Sequence, residues 1–280
     1  MASDTIRLTK RDFSLLMNLY RTQSWLVSRE DALYSLFRLC PDEETVSLVA
    51  SLLQHFHMFS TDEYLGAIDA LATHLVEAVH ITPTNSLLVA SCIDDNPDGS
   101  QQVLLQLRNC LSKRGLGTFR LINRYGKGLA ALEPNMWFIV VDDFTGSGKT
   151  MRARKKSFDE KCRTACIEAK FYACSVAAMS SAVKCLQESG ISFWTPKEHD
   201  KGIPQVFPET DQSAAYERMK HLETLINDGS DPDVYPFGYG QAEAIVALGE
   251  AHNTPNSVYP IFWAPTHADG SARGTILCRG

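Results

Sequence analysis

Near the middle of the chain, two adjacent carboxylates lie between an apolar run and a short segment of glycine and hydroxyl residues. Asp142 and Asp143 follow the apolar residues 136–141, and residues 144–150 read Phe-Thr-Gly-Ser-Gly-Lys-Thr. An apolar run followed by a Gly-rich turn predicts a buried strand, a tight loop and the start of a helix. Backbone N–H groups at the start of such a helix bind phosphate, and carboxylates bind sugar hydroxyls or a divalent cation. The pattern therefore predicts a site for a phosphorylated sugar.

The residues of this segment have distinct expected roles. We expect Asp142 and Asp143 to be catalytic residues and the protein ligands of Mg²⁺, a hard divalent ion that suits carboxylates. The amides and hydroxyls that follow are expected to bind a phosphate, and they belong to Thr145, Gly146, Ser147, Gly148, Lys149 and Thr150. The structural alternative is a turn in which the aspartates only cap a helix.

The same residues partly match a nucleotide-binding P-loop, whose pattern is G-x-x-x-x-G-K-[ST]. Gly148, Lys149 and Thr150 fit the end of that pattern, but its first glycine falls on Asp143. A carboxylate repels the phosphate that such a loop is built to hold. The P-loop interpretation is therefore the weaker of the two.

The string from Phe138 to Thr150 resembles the phosphoribosyl pyrophosphate (PRPP) motif of type I phosphoribosyltransferases. That motif is an apolar strand, two acidic residues, and small hydroxyl and glycine residues that enter a helix. The resemblance implies reaction at C1 of a phosphorylated ribose, with an oxocarbenium-like transition state. It also implies that Asp142 and Asp143 hold the ribose 2′- and 3′-hydroxyls, directly or through Mg²⁺, and that residues 145–150 bind the 5′-phosphate. Classical purine-salvage members carry a carboxylate base four residues after the first acidic residue. Here that position is Gly146, so salvage of a purine lacks its proton acceptor.

The resemblance also implies a pyrophosphate loop and a basic loop over the site. Residues 93–102 stand in the position of the pyrophosphate loop, where Gly99, Ser100 and the start of a helix predicted from residue 101 could bind an anion. The three aspartates of that loop make an ordinary acidic turn an equal alternative. Residues 112–127 have the composition of the basic loop, and we expect Arg114 among them to bind substrate. A solvated basic surface is the alternative.

The C-terminal part resembles a phosphoribosyltransferase-like effector family of bacterial conflict systems. Residues 236–246 and 252–263 carry this resemblance, which extends over about residues 85–265 and suits a helical N-terminal segment. It implies a role in anti-phage defence, since some members are encoded beside retron reverse transcriptases. It also implies a hood that holds the acceptor, formed by Gly238, Tyr239, Gly240, Asn253, Pro255, Asn256 and Trp263. A packed cap without a ligand is an equal alternative for this segment.

Three further features have both a structural and a functional interpretation. Glu243 and His252 are possible acid–base groups, although single titratable residues are more often structural. Residues 149–163 carry seven positive charges against two negative ones in a protein of net charge −6. This basic helix could bind nucleic acid or a reverse transcriptase partner, but a solvated helix face is the more common meaning of such a run.

The pattern of apolar residues changes near residue 81. Before it, helical periodicity predicts four helices that begin near residues 12, 28, 41 and 61, the second with a capping box at Ser28, and no strand between them. After it, apolar runs alternate with helical stretches, which predicts a parallel sheet. The predicted strands are 86–92, 136–141, 171–178 and 191–194, and the predicted helices are 101–111, 148–169, 180–188 and 211–227. Residues 112–135 are predicted as a long loop with a short strand at 119–122.

We therefore expect two parts, a helical segment (residues 1–80) and a phosphoribosyltransferase-like domain (residues 81–280). The fold class is α/β, with a parallel-sheet, Rossmann-like core and an irregular C-terminal hood. No apolar run is long enough to span a bilayer and no secretory signal precedes residue 12, so we expect a cytoplasmic protein that contacts no membrane. The eight cysteines are scattered, with no C-x-x-C pair and no His cluster at zinc spacing. Cys162 and Cys166 are four residues apart on a predicted helix, but two thiols alone do not make a metal site. An oligomer is possible.

Two functions of different classes follow from these observations. The first is an enzyme that forms or cleaves a glycosidic or ribosyl–phosphate bond at C1 of PRPP or a related phosphorylated ribose, with Mg²⁺ bound through the substrate. The second is a non-catalytic subunit of a defence complex that senses a nucleotide or PRPP, or that associates with nucleic acid. Pyrophosphate release from PRPP separates the two.

Overall fold

The first part of the chain is mostly helical in the computed structural model, which describes residues 10–93, 98–227 and 229–279. Its elements are α1 (Lys10–Thr22), a 3₁₀ helix (Ser24–Arg29), α2 (Glu30–Phe37), α3 (Glu43–Gln54), β1 (His57–Met58) and α4 (Thr61–Glu77). The side chain of Asp42 accepts a hydrogen bond from Thr45 N at 2.7 Å, and Ser60 caps α4 in the same way. Both caps satisfy N–H groups that a helix leaves unpaired in its first turn.

Two predictions for this part are wrong. Ser28 does not form a capping box, because it lies inside the 3₁₀ helix and its Oγ donates a hydrogen bond to Trp25 O at 3.1 Å. A strand does lie between the helices, since β1 pairs in parallel with a two-residue strand much later in the chain (Val246–Ala247). Two residues are too few to show the alternation that identifies a strand in a sequence.

The second part is built on a parallel sheet, as predicted. Its strands are β2 (Ser86–Ala90), β3 (Arg120–Ile122), β4 (Trp137–Thr145), β5 (Lys170–Met179), β6 (Phe193–Trp194) and β7 (Glu198–His199), and β8 (Val246–Ala247) pairs with β1 outside the sheet. The strand order is β3-β2-β4-β5-β6, every pair is parallel, and β7 pairs with the end of β5. β4 continues four residues beyond its predicted end at 141, with Asp142 opposite Ser175 and Phe144 opposite Ala177.

Helices connect these strands and cover the sheet. They are α5 (Gly99–Lys113), α6 (Tyr125–Ala130), α7 (Lys149–Ala165), α8 (Ser180–Glu188), α9 (Gly202–Val206) and α10 (Glu209–Ile226). The predicted loop at 112–135 contains α6, because Tyr125 is buried, its N–H donates to Cys92 O at 2.8 Å and its ring packs edge-on against Phe138. This helix depends on tertiary contacts more than on local propensity. Among the described residues, no helix is long and apolar enough to cross a membrane.

Apolar side chains cover both faces of the sheet, which is typical of parallel sheets. On β4, Phe138 points to a cluster that includes side chains of α6, α7 and α8. Its neighbour Ile139 belongs to a larger cluster, which also contains Leu52 of α3 and Leu71 of α4. The N-terminal helices therefore share a hydrophobic core with the sheet. The division into two parts near residue 81 stays a prediction.

A buried glutamate holds the first turn of the irregular C-terminal section, whose residues 236–263 we call the hood. Phe237 has a φ of 56°, and its N–H donates to both carboxylate oxygens of Glu223 on α10, at 3.1 and 2.9 Å. Burial raises the pKa of Glu223 to about 8. Glu243 of the hood accepts hydrogen bonds from Lys201 Nζ at 2.8 Å and Tyr216 Oη at 2.9 Å. Two buried carboxyl groups thus fasten the hood to the α9–α10 region.

Glu223→Gln should remove one pH dependence of stability. The raised pKa keeps Glu223 protonated in the fold up to about pH 8, whereas the unfolded chain releases this proton near the ordinary pKa of 4.5. The contribution of this group to stability is therefore complete below that ordinary pKa and is lost as the pH rises through the folded pKa. Between about pH 5 and pH 8, the wild type should lose roughly 3 °C or more of melting temperature relative to the variant, about 1 kcal/mol.

Scanning calorimetry at several pH values measures this difference. Glu217→Gln, at an exposed position of the same helix, is the matched control and should keep the wild-type pH dependence. A Glu223→Gln variant with an unchanged pH dependence would contradict the role given to this carboxyl.

Candidate functional site

The predicted acidic pair opens into a cavity at the carboxyl end of the sheet. Strand ends in an open parallel sheet are where such folds bind ligands. The cavity has a volume of about 380 Å³ and lies between the ends of β2 and β4, the start of α5, α7 and the hood. Its lining is Ser91, Cys92, Ile93, Asp98, Gly99, Asp142, Asp143, Phe144, Thr150, Arg154, Asn253, Thr254, Pro255, Asn256, Ser257 and Arg279.

Negative charge is concentrated at the acidic pair. Asp142 Oδ1 accepts from Asp143 N at 3.0 Å, and Asp143 Oδ1 accepts from Phe144 N at 2.8 Å. Burial raises the pKa of Asp142 well above its usual range, and the neighbouring charges of Asp143 and Asp98 raise it further. Burial also raises the pKa of Asp143. Carboxylates held together out of water gain from a cation or from hydroxyl donors.

Mg²⁺ fits this donor set. Carboxylate oxygens are the hard ligands that Mg²⁺ prefers, and it commonly binds through one or two carboxylates and a substrate phosphate. Within the described parts of the chain, no group of three or more His, Cys, Asp or Glu side chains could hold a metal alone. A cation at Asp142 and Asp143 would therefore take further oxygens from the substrate.

The start of α5 packs directly against the acidic pair, and only glycine permits this approach. A Cβ atom on Gly99 would lie 1.9 Å from Asp143 Oδ2. Ser100, also predicted to bind substrate, instead donates its hydroxyl to Asp98 Oδ1 at 2.6 Å and does not line the cavity. Asp98 also accepts from Gln101 N at 3.2 Å and so caps α5. Residues 94–97 of the predicted pyrophosphate loop lie outside the described residues.

A second, smaller cavity of about 50 Å³ adjoins the first at the start of α7. Its lining contains all six residues predicted to bind the 5′-phosphate, together with Asp142, Phe144, Tyr239, Asn256 and Ser257. Gly148 has a φ of 72° immediately before the helix, a conformation that favours glycine. The buried hydroxyl of Thr145 has no hydrogen-bond partner among the described residues. Helix N–H groups and an unpaired hydroxyl suit a small anion.

The hood closes over this smaller cavity at positions where glycine removes a side chain. A Cβ atom on Gly240 would lie 2.5 Å from Ser147 Cβ, and one on Gly146 would lie 1.8 Å from Ser257 Oγ. Tyr239 and Asn256 both line this cavity, and Tyr239 N donates to Asn256 O at 2.8 Å. That Tyr239 binds substrate stays a prediction. Ser257 therefore occupies the space that a carboxylate side chain at position 146 would need.

Comparison with known proteins identifies the family. The PRTase-CE family model matches residues 37–270. The chain belongs to the PRTase-CE family. This match confirms the predicted resemblance to a phosphoribosyltransferase-like family, whereas the link to defence systems stays a prediction. A search of curated proteins gave no match.

One solved structure similar to this PRTase-CE chain is a Helicobacter pylori xanthine-guanine-hypoxanthine phosphoribosyltransferase. The sequences are 15% identical, the alignment covers 51% of this chain and 85% of that one, and the TM-score is 0.31. Because that superposition is weak, the parallel strand order and the family match identify the fold.

The structure does not bring Arg114 to the site of this PRTase-CE chain. Arg114 follows the last residue of α5, about 20 Å along the helix from Gly99. Its guanidinium forms two hydrogen bonds to the Asp69 carboxylate, at 2.8 and 2.9 Å, and one to Thr73 Oγ1 at 2.8 Å. Arg114 thus joins α5 to α4 at the far end from the cavity, and its predicted contact with substrate lacks support.

Two arginines that were not predicted as site residues, Arg154 and Arg279, line the cavity. Arg154 Nε donates to Ser91 O at 2.7 Å, and its guanidinium lies 5.1 Å from the centre of the Tyr125 ring. Arg154 is four residues after Thr150, so both lie on one face of α7. That spacing, read from the sequence, could have predicted that Arg154 lines the same cavity as Thr150. Arg279 reaches the cavity from the end of the chain, and no local pattern indicates this.

Thr145→Val should stabilise the ligand-free protein and weaken anion binding. A buried hydroxyl without a partner costs about 1–3 kcal/mol, and valine has nearly the same shape. We expect a melting temperature at least equal to that of wild type, and less stabilisation by added inorganic phosphate. Thr254→Val is the matched control, since Thr254 is also buried but its Oγ1 donates to Cys278 O at 2.7 Å. That control should lower the melting temperature. Loss of stability in Thr145→Val would show that its hydroxyl is already satisfied.

Proposed function

We propose that this PRTase-CE protein binds PRPP with Mg²⁺ and transfers its phosphoribosyl group at C1. One observation carries the proposal: the phosphate-sized cavity with the unpaired Thr145 hydroxyl adjoins the cavity of the acidic pair. A sugar phosphate needs these two features side by side. The 5′-phosphate would bind at residues 145–150, and the ribose hydroxyls would bind at Asp142 and Asp143.

The proposed reaction exchanges one bond at C1 for another. The C1–O bond to pyrophosphate breaks and its electron pair leaves with pyrophosphate, while a lone pair of the acceptor forms the new bond to C1. Carboxylates beside the ribose stabilise the positive charge that develops on the sugar. Mg²⁺, held by these carboxylates and substrate oxygens, would neutralise part of the pyrophosphate charge. Arg154 lines the Ser91–Gly99 side of the cavity and would bind the leaving group.

A non-catalytic sensor of PRPP or nucleotides is the second candidate. Gly146 favours it, because the position of the classical base is filled by Ser257 from the hood. Both candidates require ligand binding at the same site, and only the enzyme releases pyrophosphate. Either would serve the defence role that the sequence resemblance implies, and we include that anti-phage role in the proposal.

Asp142→Asn and Asp143→Asn should each weaken PRPP binding in the presence of Mg²⁺. Hydrogen bonds to charged groups contribute about 1.5–3 kcal/mol, so we expect a loss of about 10-fold or more in affinity. Isothermal titration measures binding, and a pyrophosphate-release assay measures turnover. Asp31→Asn, at an exposed position of α2, is the charge-matched control and should bind as wild type.

Two outcomes would redirect the proposal. PRPP binding without pyrophosphate release, over a panel of bases and nucleic acids, would favour the sensor. ATP binding that is lost in Lys149→Ala and kept in Asp143→Ala would favour a P-loop hydrolase.

A basic surface on α7 supports a second part of the proposal, contact with nucleic acid. A groove of about 520 Å³ runs along α7, and its lining includes four cations, Arg152, Lys155, Lys156 and Arg163, and two carboxylates, Asp159 and Glu160. Lys155 pairs with Asp159 at 2.6 Å, whereas the other three cations form no salt bridge within the described residues. Arg152 and Arg163 are about 16 Å apart along the helix, enough to contact several phosphates. We propose that this surface, part of basic helix 149–163, binds a nucleic acid.

Replacing Arg152, Lys156 and Arg163 together with Gln should weaken nucleic-acid binding and its salt dependence. Each lost phosphate contact lowers the slope of log affinity against log salt by about 0.7–0.9. Fluorescence anisotropy with labelled single-stranded and duplex oligonucleotides measures this slope. A triple Gln variant of the exposed Arg21, Arg108 and Lys220 removes the same charge elsewhere and should bind as wild type. Equal losses in both variants would indicate a net-charge effect and leave a protein partner, such as a reverse transcriptase, for this surface.

A further inference from the structure

The last residues of the chain cross the hood and bring a cation to the cavity. Cys278 O accepts from Thr254 N at 3.0 Å and from Thr254 Oγ1 at 2.7 Å, and Leu277 N donates to Phe262 O at 3.0 Å. Ile276 and Leu277 are buried in the core. The backbone that precedes Arg279 is therefore held at three hydrogen bonds. The family match ends at residue 270, so this segment is a feature of the chain beyond the matched region.

The Arg279 side chain is oriented but has unused donors. Its Nη1 donates to Thr254 O at 2.6 Å, and its guanidinium lies 5.5 Å from the centre of the Trp263 ring. Burial lowers its pKa, so the cation is held partly out of water. Among the described residues, no carboxylate forms a salt bridge with Arg279, and its Nε and Nη2 have no hydrogen-bond partner. A partly desolvated guanidinium with free donors is suited to a carboxylate or phosphate.

The two anionic groups of PRPP have other partners in the proposed arrangement. The 5′-phosphate has the small cavity at residues 145–150, and pyrophosphate has Arg154, which lies near Asp142 and Asp98. Arg279 has different neighbours: it interacts electrostatically with Asp143 and Asp233, and it contacts Thr254 and Trp263 of the hood. In this arrangement the part of the cavity beside the hood is left for the second substrate, the acceptor of the phosphoribosyl group.

We infer that Arg279 binds an anionic group, a carboxylate or a phosphate, on the acceptor that receives the phosphoribosyl group. This inference rests on the proposed function and names the class of acceptor. A carboxylate or phosphate matches the planar pair of donors of a guanidinium, whereas an uncharged ring offers no anion to the free Nε and Nη2 donors of Arg279.

The lack of a carboxylate base at position 146, where Ser257 fills the space, restricts which acceptor atom can react. An acceptor nitrogen that carries a proton must lose it to a base as its lone pair bonds to C1. A pyridine-type ring nitrogen carries no proton, so its lone pair can form the C1–N bond while the C1–O electron pair leaves with pyrophosphate. No proton is transferred in that step. An acid with such a nitrogen therefore suits both Gly146 and Arg279.

The test compares acids with their uncharged counterparts in the full chain, with Mg²⁺ and ribose 5-phosphate present. Ribose 5-phosphate would fill the sugar site and has no pyrophosphate to lose, so isothermal titration reports binding alone. The probe pairs are nicotinate and nicotinamide, orotate and uracil, and AMP and adenosine. The first two pairs test a carboxylate, and the third tests a phosphate. We expect the acid of at least one pair to bind about 10-fold tighter than its partner, a difference of about 1.4 kcal/mol.

In Arg279→Gln, the acid and its uncharged partner should bind with about equal affinity, because the variant removes the charge that pairs with the acid. Its affinity for PRPP should change by less than about threefold. Arg279→Lys should keep part of the preference, because it retains the charge and loses the planar geometry. Arg108→Gln, at an exposed position of α5, is the control. Melting temperatures of all variants verify that they fold.

Three results would overturn the inference. One is the absence of any preference for an acid in all three pairs. The second is a preference that survives in Arg279→Gln. The third is a loss of PRPP affinity in Arg279→Gln with the preference intact, which would place Arg279 at the first substrate. Failure of the wild type to bind PRPP at all is a separate result, and it would sink the proposed function together with this inference.

Discussion

Negative charge held partly out of water at the end of a buried strand is the constraint on which the rest of the site depends. β4 positions Asp142 and Asp143 there because both faces of the sheet are covered and the strand continues past the pair to Thr145. The first turns of α5 and α7 bring N–H groups towards this charge, and Arg154 and Arg279 line the same cavity. Asp98, which caps α5, adds a further carboxylate to the lining.

Most of the central fold could be predicted because its determinants are consecutive in the sequence. Phe138 and Ile139 of β4 belong to the two apolar clusters on opposite faces of the sheet. Because every side chain of such a strand is buried, the strand appears in the sequence as an uninterrupted apolar run. The phosphate turn is equally local. Its glycines, hydroxyls and helix start lie within residues 145–150, and all six line one small cavity. Local chemistry was sufficient for both.

The features that could not be predicted depend on residues far apart in the chain. Arg114 belongs to a basic stretch, but its partner Asp69 precedes it by 45 residues and composition does not reveal that pairing. α6 forms around a buried Tyr125 that contacts the sheet. Arg279 lies at the cavity because hydrogen bonds to Thr254 and Phe262 hold the residues that precede it. In each case a tertiary contact, and not the local pattern, decides where the side chain lies.

The two-residue strand β1 adds backbone hydrogen bonds between the N-terminal helices and the hood, which already share a hydrophobic core. His57 N donates to Ile245 O at 2.8 Å and Phe59 N donates to Ala247 O at 2.9 Å, so the segment between α3 and α4 is bonded to the chain that forms the hood. The covering of the cavity is thus anchored on two sides, to α10 through Glu223 and to the N-terminal helices through β1. Helices that contribute no residue to the lining of either cavity thus help to fix the position of its covering.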